Sequence, residues 1–195
     1  RSKSIPIQLP GWAMNKLAVK AFNSLYYRRH FNRHMLVDFD SYFYPLDSVH
    51  HWNRIYGKRG FVQYHALFPK KSSREAMTCL LEIISKSGQA SFLAVLKSSG
   101  AANQGLLSYL FDGHTLALDF PYRVEKTDRL CRQLDELMLE FDGRVYLAKD
   151  ALVSAETFSQ MYPKLEEFKR IKKRLDPEKL FRSHQSDRVG ITCTP

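Results

Sequence analysis

The chain has 195 residues, of which 44 % are hydrophobic and 13 % aromatic, enough apolar material for one domain or a little more and unlike a disordered chain. A net charge of +10 favours acidic partners, meaning phosphates, nucleic acid or an anionic membrane surface. No apolar run approaches membrane-spanning length, and Cys79, Cys131 and Cys193 have neither metal-ligand spacing nor a disulfide framework.

The chain opens on Arg-Ser-Lys with no Met and no signal-peptide pattern, as expected of the downstream part of a longer protein. From Pro10 a helical pattern runs to about Arg33, with Trp12, Leu17, Val19, Phe22, Leu25 and Tyr26 as its apolar stripe. Its basic end (Arg28, Arg29, His30, Arg33, His34) suits the negative pole of a helix. The aromatic stretch Val37–Asp47, interrupted by Pro45, reads as extended chain.

From residue 60 the pattern becomes regular. Phe61–Phe68 reads as a strand, Ser72–Lys86 as a helix with Ala76, Cys79, Leu80, Ile83 and Ile84 on one face, and Ser91–Lys97 as a second strand. After a small polar loop, Asp112-Gly113 signals a tight turn into a strand over His114–Phe120. Thr127–Phe141 reads as a helix and Arg144–Ala148 as the last strand, which places Lys149 at a strand end. The order β-α-β, β-α-β predicts an α+β fold, an antiparallel ferredoxin-like sheet with flanking N- and C-terminal helices. The expected divisions are a helix and connecting segment over 1–59, the sheet domain over 60–150, helices packing back over 151–188 and a patternless tail over 189–195. In the helical part Ser154 opens one helix and Pro163 the next. Leu165, Phe168, Ile171 and Leu175 form the inner face of the latter, Lys169, Arg170, Lys172, Lys173 and Arg174 its outer side, and Leu180-Phe181 a last apolar anchor.

No Gly-rich phosphate loop, HExxH or GxSxG occurs, and His50-His51 lacks further ligands at metal spacing, so no metal site is expected. Lys58-Arg-Gly-Phe-Val-Gln-Tyr64 is similar to the aromatic strand of an RNA-recognition sheet. That match skips residues and falls on the first strand of the set, so nucleic acid is not an expected partner and a basic nucleic-acid-binding module is only the rival reading.

A set of ordered segments spans about residues 10 to 188: Phe43-Tyr-Pro-Leu-Asp47, Gly60-Phe-Val-Gln-Tyr64, Ser91-Phe-Leu-Ala-Val-Leu-Lys97, Asn103-Gln104, Leu118-Asp-Phe-Pro121, Gly143-Arg-Val-Tyr-Leu-Ala-Lys-Asp150, Ala155-Glu-Thr-Phe158, Met161-Tyr-Pro163, and Asp176-Pro177 with Phe181. In this order they resemble the C-terminal, substrate-side half of FAD-linked oxidoreductases of the vanillyl-alcohol-oxidase superfamily, most closely the decaprenylphosphoryl-β-D-ribose 2-oxidase group. The resemblance implies oxidation of a hydroxyl of a polyprenyl-phosphoryl pentose, ribose to its 2-keto form, as half of an epimerisation that a partner ketoreductase completes. FAD would be held mainly by an N-terminal domain that this chain lacks, so the chain alone is expected to be silent and to bind FAD weakly or not at all.

The resemblance also assigns residues. Lys149 matches the lysine beside the flavin and the reacting hydroxyl, and Tyr146 a pocket tyrosine on cofactor or substrate. Substrate contacts fall at Lys97, Gln63, His65, Asn103, Gln104, Thr115 and Ala117. His65 stands where a second glutamine is expected, while Thr115 and Ala117 replace an asparagine and a cysteine. Sugar-lactone oxidases of the same superfamily are a variant, with His-Trp where this chain has Tyr146-Leu147. The expected location is cytoplasmic, with the basic helix facing an anionic membrane surface.

Overall fold

The computed structural model describes residues 3–10, 16–30, 34, 36–44, 47, 49–89, 91 and 93–192. Its main sheet grows from two nine-residue strands, β3 (Phe61–Pro69) and β5 (Gly113–Pro121), antiparallel along their whole length from Phe61 opposite Pro121 to Pro69 opposite Gly113. β4 (Ala94–Ser99) adds to the outer edge of β5, and the short β6 (Arg144–Val145) to β3, giving the order β4-β5-β3-β6. In order of appearance the strands lie 2-3-1-4, the ferredoxin-like arrangement expected for an α+β chain of two β-α-β units. A separate parallel pair joins β1 (Lys3–Ser4) to β2 (Val49–His50).

Alternation along the strands sends Tyr64, Ala66 and Phe68 of β3 and Leu116, Leu118 and Phe120 of β5 to one side, where they are buried. Two helices cover that side. α3 (Ser73–Ser87) presents Ala76, Leu80 and Ile84, and α4 (Val124–Glu140) presents Leu130, Leu134, Leu137 and Met138, each row at helical spacing. Cys131 lies in this core, and Cys79 packs against it. α4 begins three residues before the expected Thr127, because the buried Thr127 hydroxyl accepts the backbone N–H of Arg123 and so caps the earlier turn.

α5 (Ala155–Met161) starts after Ser154, whose Oγ accepts the Thr157 N–H, and α6 (Leu165–Leu175) follows Pro163. Phe158, Met161, Tyr162 and Leu165 join the same core. The basic side of α6 is partly engaged: Lys169 pairs with Glu166, and Lys172 pairs with Asp176 and donates to the Phe181 carbonyl, which leaves Arg170, Lys173 and Arg174 exposed.

Several expectations are corrected. Within Val37–Asp47 the chain forms a short helix, α2 (Phe39–Phe43), since the Asp38 and Asp40 carbonyls accept from Tyr42 and Tyr44 four residues on. α1 (Lys16–His30) buries only Val19 of its described stripe, against Tyr56; Leu17, Phe22, Leu25 and Tyr26 are exposed, and Trp12 and Arg33 lie outside the described residues. The second strand is shifted to Ala94–Ser99. Leu180 and Phe181 are no anchor, being 73 % and 79 % exposed. The anchor is Val189, carried just beyond α7 (His184–Arg188), a helix that Ser183 and Ser186 open with a reciprocal capping box. The last strand ends at Val145, and Leu147–Lys149 turns into a 3-10 helix, so Lys149 rides on a turn.

Gly143 is required at the entry to that strand by close approach. A Cβ there would sit 2.6 Å from the Met138 methyl and 3.0 Å from the Leu67 carbonyl oxygen. Gly143→Ala is expected to cost about 1–3 kcal/mol through overpacking. Urea unfolding of the chain checks it, and an unchanged midpoint would refute the close fit.

Candidate active site

The helices cover one face of the sheet, and the other carries the polar residues. Gln63 and His65 of β3 lie opposite Asp119 and Ala117 of β5, and Lys97 of β4 lies opposite Thr115. Residues opposite one another project to the same side, so five of the expected site residues share this open face with Asp119. Tyr146 joins them from the end of β6, its N–H donating to the His65 carbonyl at 3.0 Å. Its ring stands 5.5 Å from that of His65, and Tyr109 closes the triangle at 4.7 Å from Tyr146 and 5.4 Å from His65.

Tyr109 is held there by Arg144. The guanidinium donates to the carbonyls of Ser108 and Met161, each at 2.9 Å, and lies over the rings of Phe111 and Tyr162. Burial lowers the guanidinium pKa, and the aromatic faces and carbonyls supply what water would otherwise give.

His65 is the electrostatic marker of the site. Burial, followed by the charges of Lys97 and Lys149, lowers its pKa to about 4, so the ring is neutral at pH 7. Two lysines from distant parts of the chain thus act on one imidazole. Both His65 ring nitrogens and the Tyr109 hydroxyl are buried without a hydrogen-bond partner among the described residues.

The turn that carries Lys149 is fastened from outside. Asp150 accepts the N–H groups of Leu152 and Val153 on one carboxylate oxygen and pairs with Arg188 on the other at 2.7 Å. Arg188 also donates to the Val153 carbonyl, and Gln185 donates to the Leu147 carbonyl. The 3-10 turn is therefore bound through its own carbonyl and the following carboxylate to α7.

Beneath the sheet Tyr64 donates to Asp135 at 2.8 Å in the core. Burial raises the Asp135 carboxyl to about 7 despite that hydrogen bond, and the nearby Asp150 charge adds to the rise. An acid held neutral by the fold, with an ordinary value of 3.8, makes the unfolded state the better proton donor between those limits. Stability is therefore fully present below about pH 4 and is lost as the pH rises through about 7, by up to about 4 kcal/mol. Asp135→Asn is expected to flatten this slope in urea titrations between pH 4 and 8. Equal slopes in both proteins would exclude it.

The face gathers Lys149, Tyr146, Lys97, Gln63, His65 and Ala117, with Thr115 buried in the same row. Asn103 and Gln104 sit on the exposed β4–β5 loop, where the Asn103 side chain accepts the Gly105 N–H, and none of the described contacts joins them to the group. Asp119, Tyr109 and Arg188 were absent from the sequence-based site. Asp119 alternates with Thr115 and Ala117, so the two-residue period alone could have found it.

Comparison with known proteins relates the chain to sugar oxidases and dehydrogenases. Residues 61–189 match the family model of D-arabinono-1,4-lactone oxidase. The chain is 35 % identical over 189 residues to the decaprenylphosphoryl-beta-D-ribose oxidase of Mycolicibacterium smegmatis, covering 96 % of this chain and 41 % of that protein. It is 22 % identical over 130 residues to an L-gulono-1,4-lactone dehydrogenase of Mycobacterium tuberculosis, covering 66 % of this chain and 30 % of the relative. The chain thus spans less than half the length of either relative. It belongs to the D-arabinono-1,4-lactone oxidase family.

Proposed function

We propose that this chain is the substrate-side part of an FAD-dependent sugar oxidoreductase that oxidises a ring hydroxyl of a polyprenyl-phosphoryl pentose, ribose to its 2-keto form. The observation that carries the reading is the convergence of Lys97 and Lys149 on His65 at the open, aromatic-walled face of the sheet. The residues fit one edge of a flavin and its substrate: cations for an electron-rich ring edge or a phosphate, and orphaned polar atoms of His65 and Tyr109 for hydroxyls. FAD, when bound, accepts the hydride.

In this reading the Lys149 ammonium holds the reacting hydroxyl and opposes the negative charge that develops beside it. Tyr146 and Tyr109 wall the sugar and exclude water. His65, neutral, exchanges hydrogen bonds with a hydroxyl, and Lys97, at the sheet edge, takes an anionic group such as the phosphate. The remaining partners are an N-terminal FAD-binding domain, a ketoreductase that uses the keto product, and an anionic membrane surface under Arg170, Lys173 and Arg174 at the cytoplasmic face. Among the described residues no helix is long and apolar enough to cross a membrane. Vesicle co-sedimentation at low salt tests the surface contact, and equal recovery with neutral and anionic lipid would remove it.

A sugar-lactone oxidation is the second reading, favoured by the family match over residues 61–189. The higher identity and wider coverage of the decaprenylphosphoryl-ribose relative favour the pentose. The experiment is anaerobic mixing of the full-length flavoprotein with a polyprenyl-phosphoryl ribose or with L-gulono-1,4-lactone, following the flavin band. Bleaching by the first supports the proposal, and bleaching by the lactone alone replaces it. A full-length protein without a flavin band would end both.

A further inference from the structure

Asp119 is 1 % exposed on the candidate substrate face, and none of the ion pairs among the described residues reaches its carboxylate. Neutral donors occupy it: Gln63 Nε2 at 2.8 Å on one oxygen and the buried Tyr56 hydroxyl at 3.5 Å on the other. Its backbone N–H is taken by Ser91 Oγ and the Leu93 carbonyl, so the residue is held on the main chain as well. Gln63 lies directly across the ladder from Asp119, which makes their contact a cross-strand pair built into the register.

Burial raises the Asp119 pKa, against which the Gln63 hydrogen bond, the Lys149 charge and the Tyr56 hydrogen bond favour the ionised form. In that form the carboxylate only accepts hydrogen bonds, and a primary amide has one donor end and one acceptor end. The partner carboxylate therefore decides which end of Gln63 is used inward. We propose that Asp119 is a positioning residue that locks the Gln63 amide with its NH2 turned inward and its carbonyl oxygen turned to the substrate. This rests on the oxidoreductase reading above and deepens it. The Gln63 position then selects a hydrogen-bond donor, meaning a sugar hydroxyl, and rejects a phosphate or carboxylate oxygen. Anionic groups are steered to the lysines, and the site gains a polarity along the sheet: hydroxyl recognition at Gln63, cationic recognition at Lys97 and Lys149. A buried carboxylate behind the amide also offsets part of the lysine charge without forming an ion pair that would consume either ammonium.

Two measurements test it. In the chain labelled with 15N-glutamine, the Gln63 side-chain NH2 resonances are expected to be displaced and slow to exchange, and Asp119→Asn is expected to return them to the free-amide position. This arm needs no substrate. In the full-length flavoprotein, with polyprenyl-phosphoryl ribose as the probe, Asp119→Asn is expected to raise KM about tenfold while kcat stays within about threefold, since the amide then presents either end. The swap Gln63→Glu with Asp119→Asn restores an outward acceptor and an inward donor–acceptor pair, so its KM is expected to return to near the parent value. Gln63→Glu alone sets two carboxylates against each other and is expected to do worse than either. An unshifted Gln63 amide, or an ordered amide with an unchanged KM in Asp119→Asn, overturns the inference. A parent flavoprotein that no sugar reduces sinks the oxidoreductase reading instead, and the amide resonances still decide the lock.

Discussion

Lys149→Ala in the full-length flavoprotein is expected to slow flavin reduction by the sugar about 10²–10³-fold, the scale on which one preorganised charge-stabilising group acts in an oxyanion-type site. The lysine is exposed on its turn, and its charge reaches both His65 and Asp119. In the proposed mechanism its removal withdraws the cation opposite the developing charge, and it leaves little hole in the protein. The free energy of unfolding is therefore expected to change by less than about 0.5 kcal/mol, as for other surface substitutions. The His65 pKa should rise from about 4, because one of the two cations that depress it is gone. Stopped-flow reduction and histidine NMR read the two effects. A rate within fivefold of the parent would assign the chemistry elsewhere.

Arg188→Ala carries the largest expected loss of stability. Its partner Asp150 has a side chain only 4 % exposed, and its guanidinium also serves the Val153 carbonyl. Truncation leaves a carboxylate buried without its cation, beside the buried Asp135, and such losses run at about 3–5 kcal/mol. Because Asp150 follows Lys149 directly, part of the cost is disorder of the 3-10 turn, so sugar-driven flavin reduction should fall as well. Denaturant unfolding of the chain checks the stability. A change below about 1 kcal/mol would mean that Asp150 is held by the Leu152 and Val153 amides alone.

The long elements were legible because their periods are unambiguous. The two-residue alternation of Phe61–Phe68 and His114–Phe120 and the helical rows on Ala76–Ile84 and Leu130–Met138 each point to one buried face, and the strand order follows from two β-α-β units. What was not legible depends on partners distant in sequence. The strand after Arg144 looked continuous because Val145, Tyr146 and Leu147 all favour extended chain; it stops because Asp150 folds back on the Leu152 and Val153 amides and Gln185 draws on the Leu147 carbonyl. Tyr109 lies in a loop with no period, and Arg144, 36 residues from Ser108, ties the neighbouring Ser108 carbonyl down where the Tyr109 ring packs on His65 and Tyr146. Leu180 and Phe181 read as an anchor from hydrophobicity alone. Asp176 takes their backbone N–H groups in a turn that leaves both side chains outside.

The attachment of the Lys149 turn to α7 has a kinetic consequence. α7 is a single five-residue helix near the end of the described chain, and helices of that length have little stability of their own. Its opening releases Arg188 and Gln185 together, and with them the restraint on Lys149. The backbone amides of Lys149 and Asp150 are therefore expected to exchange with deuterium at the rate of α7, much faster than those of Ala66 and Leu118 in the central strands. The lysine belongs in space to the sheet but in its fluctuations to α7, and a clip or graft after Asp176 would be felt first as motion at the centre of the proposed site.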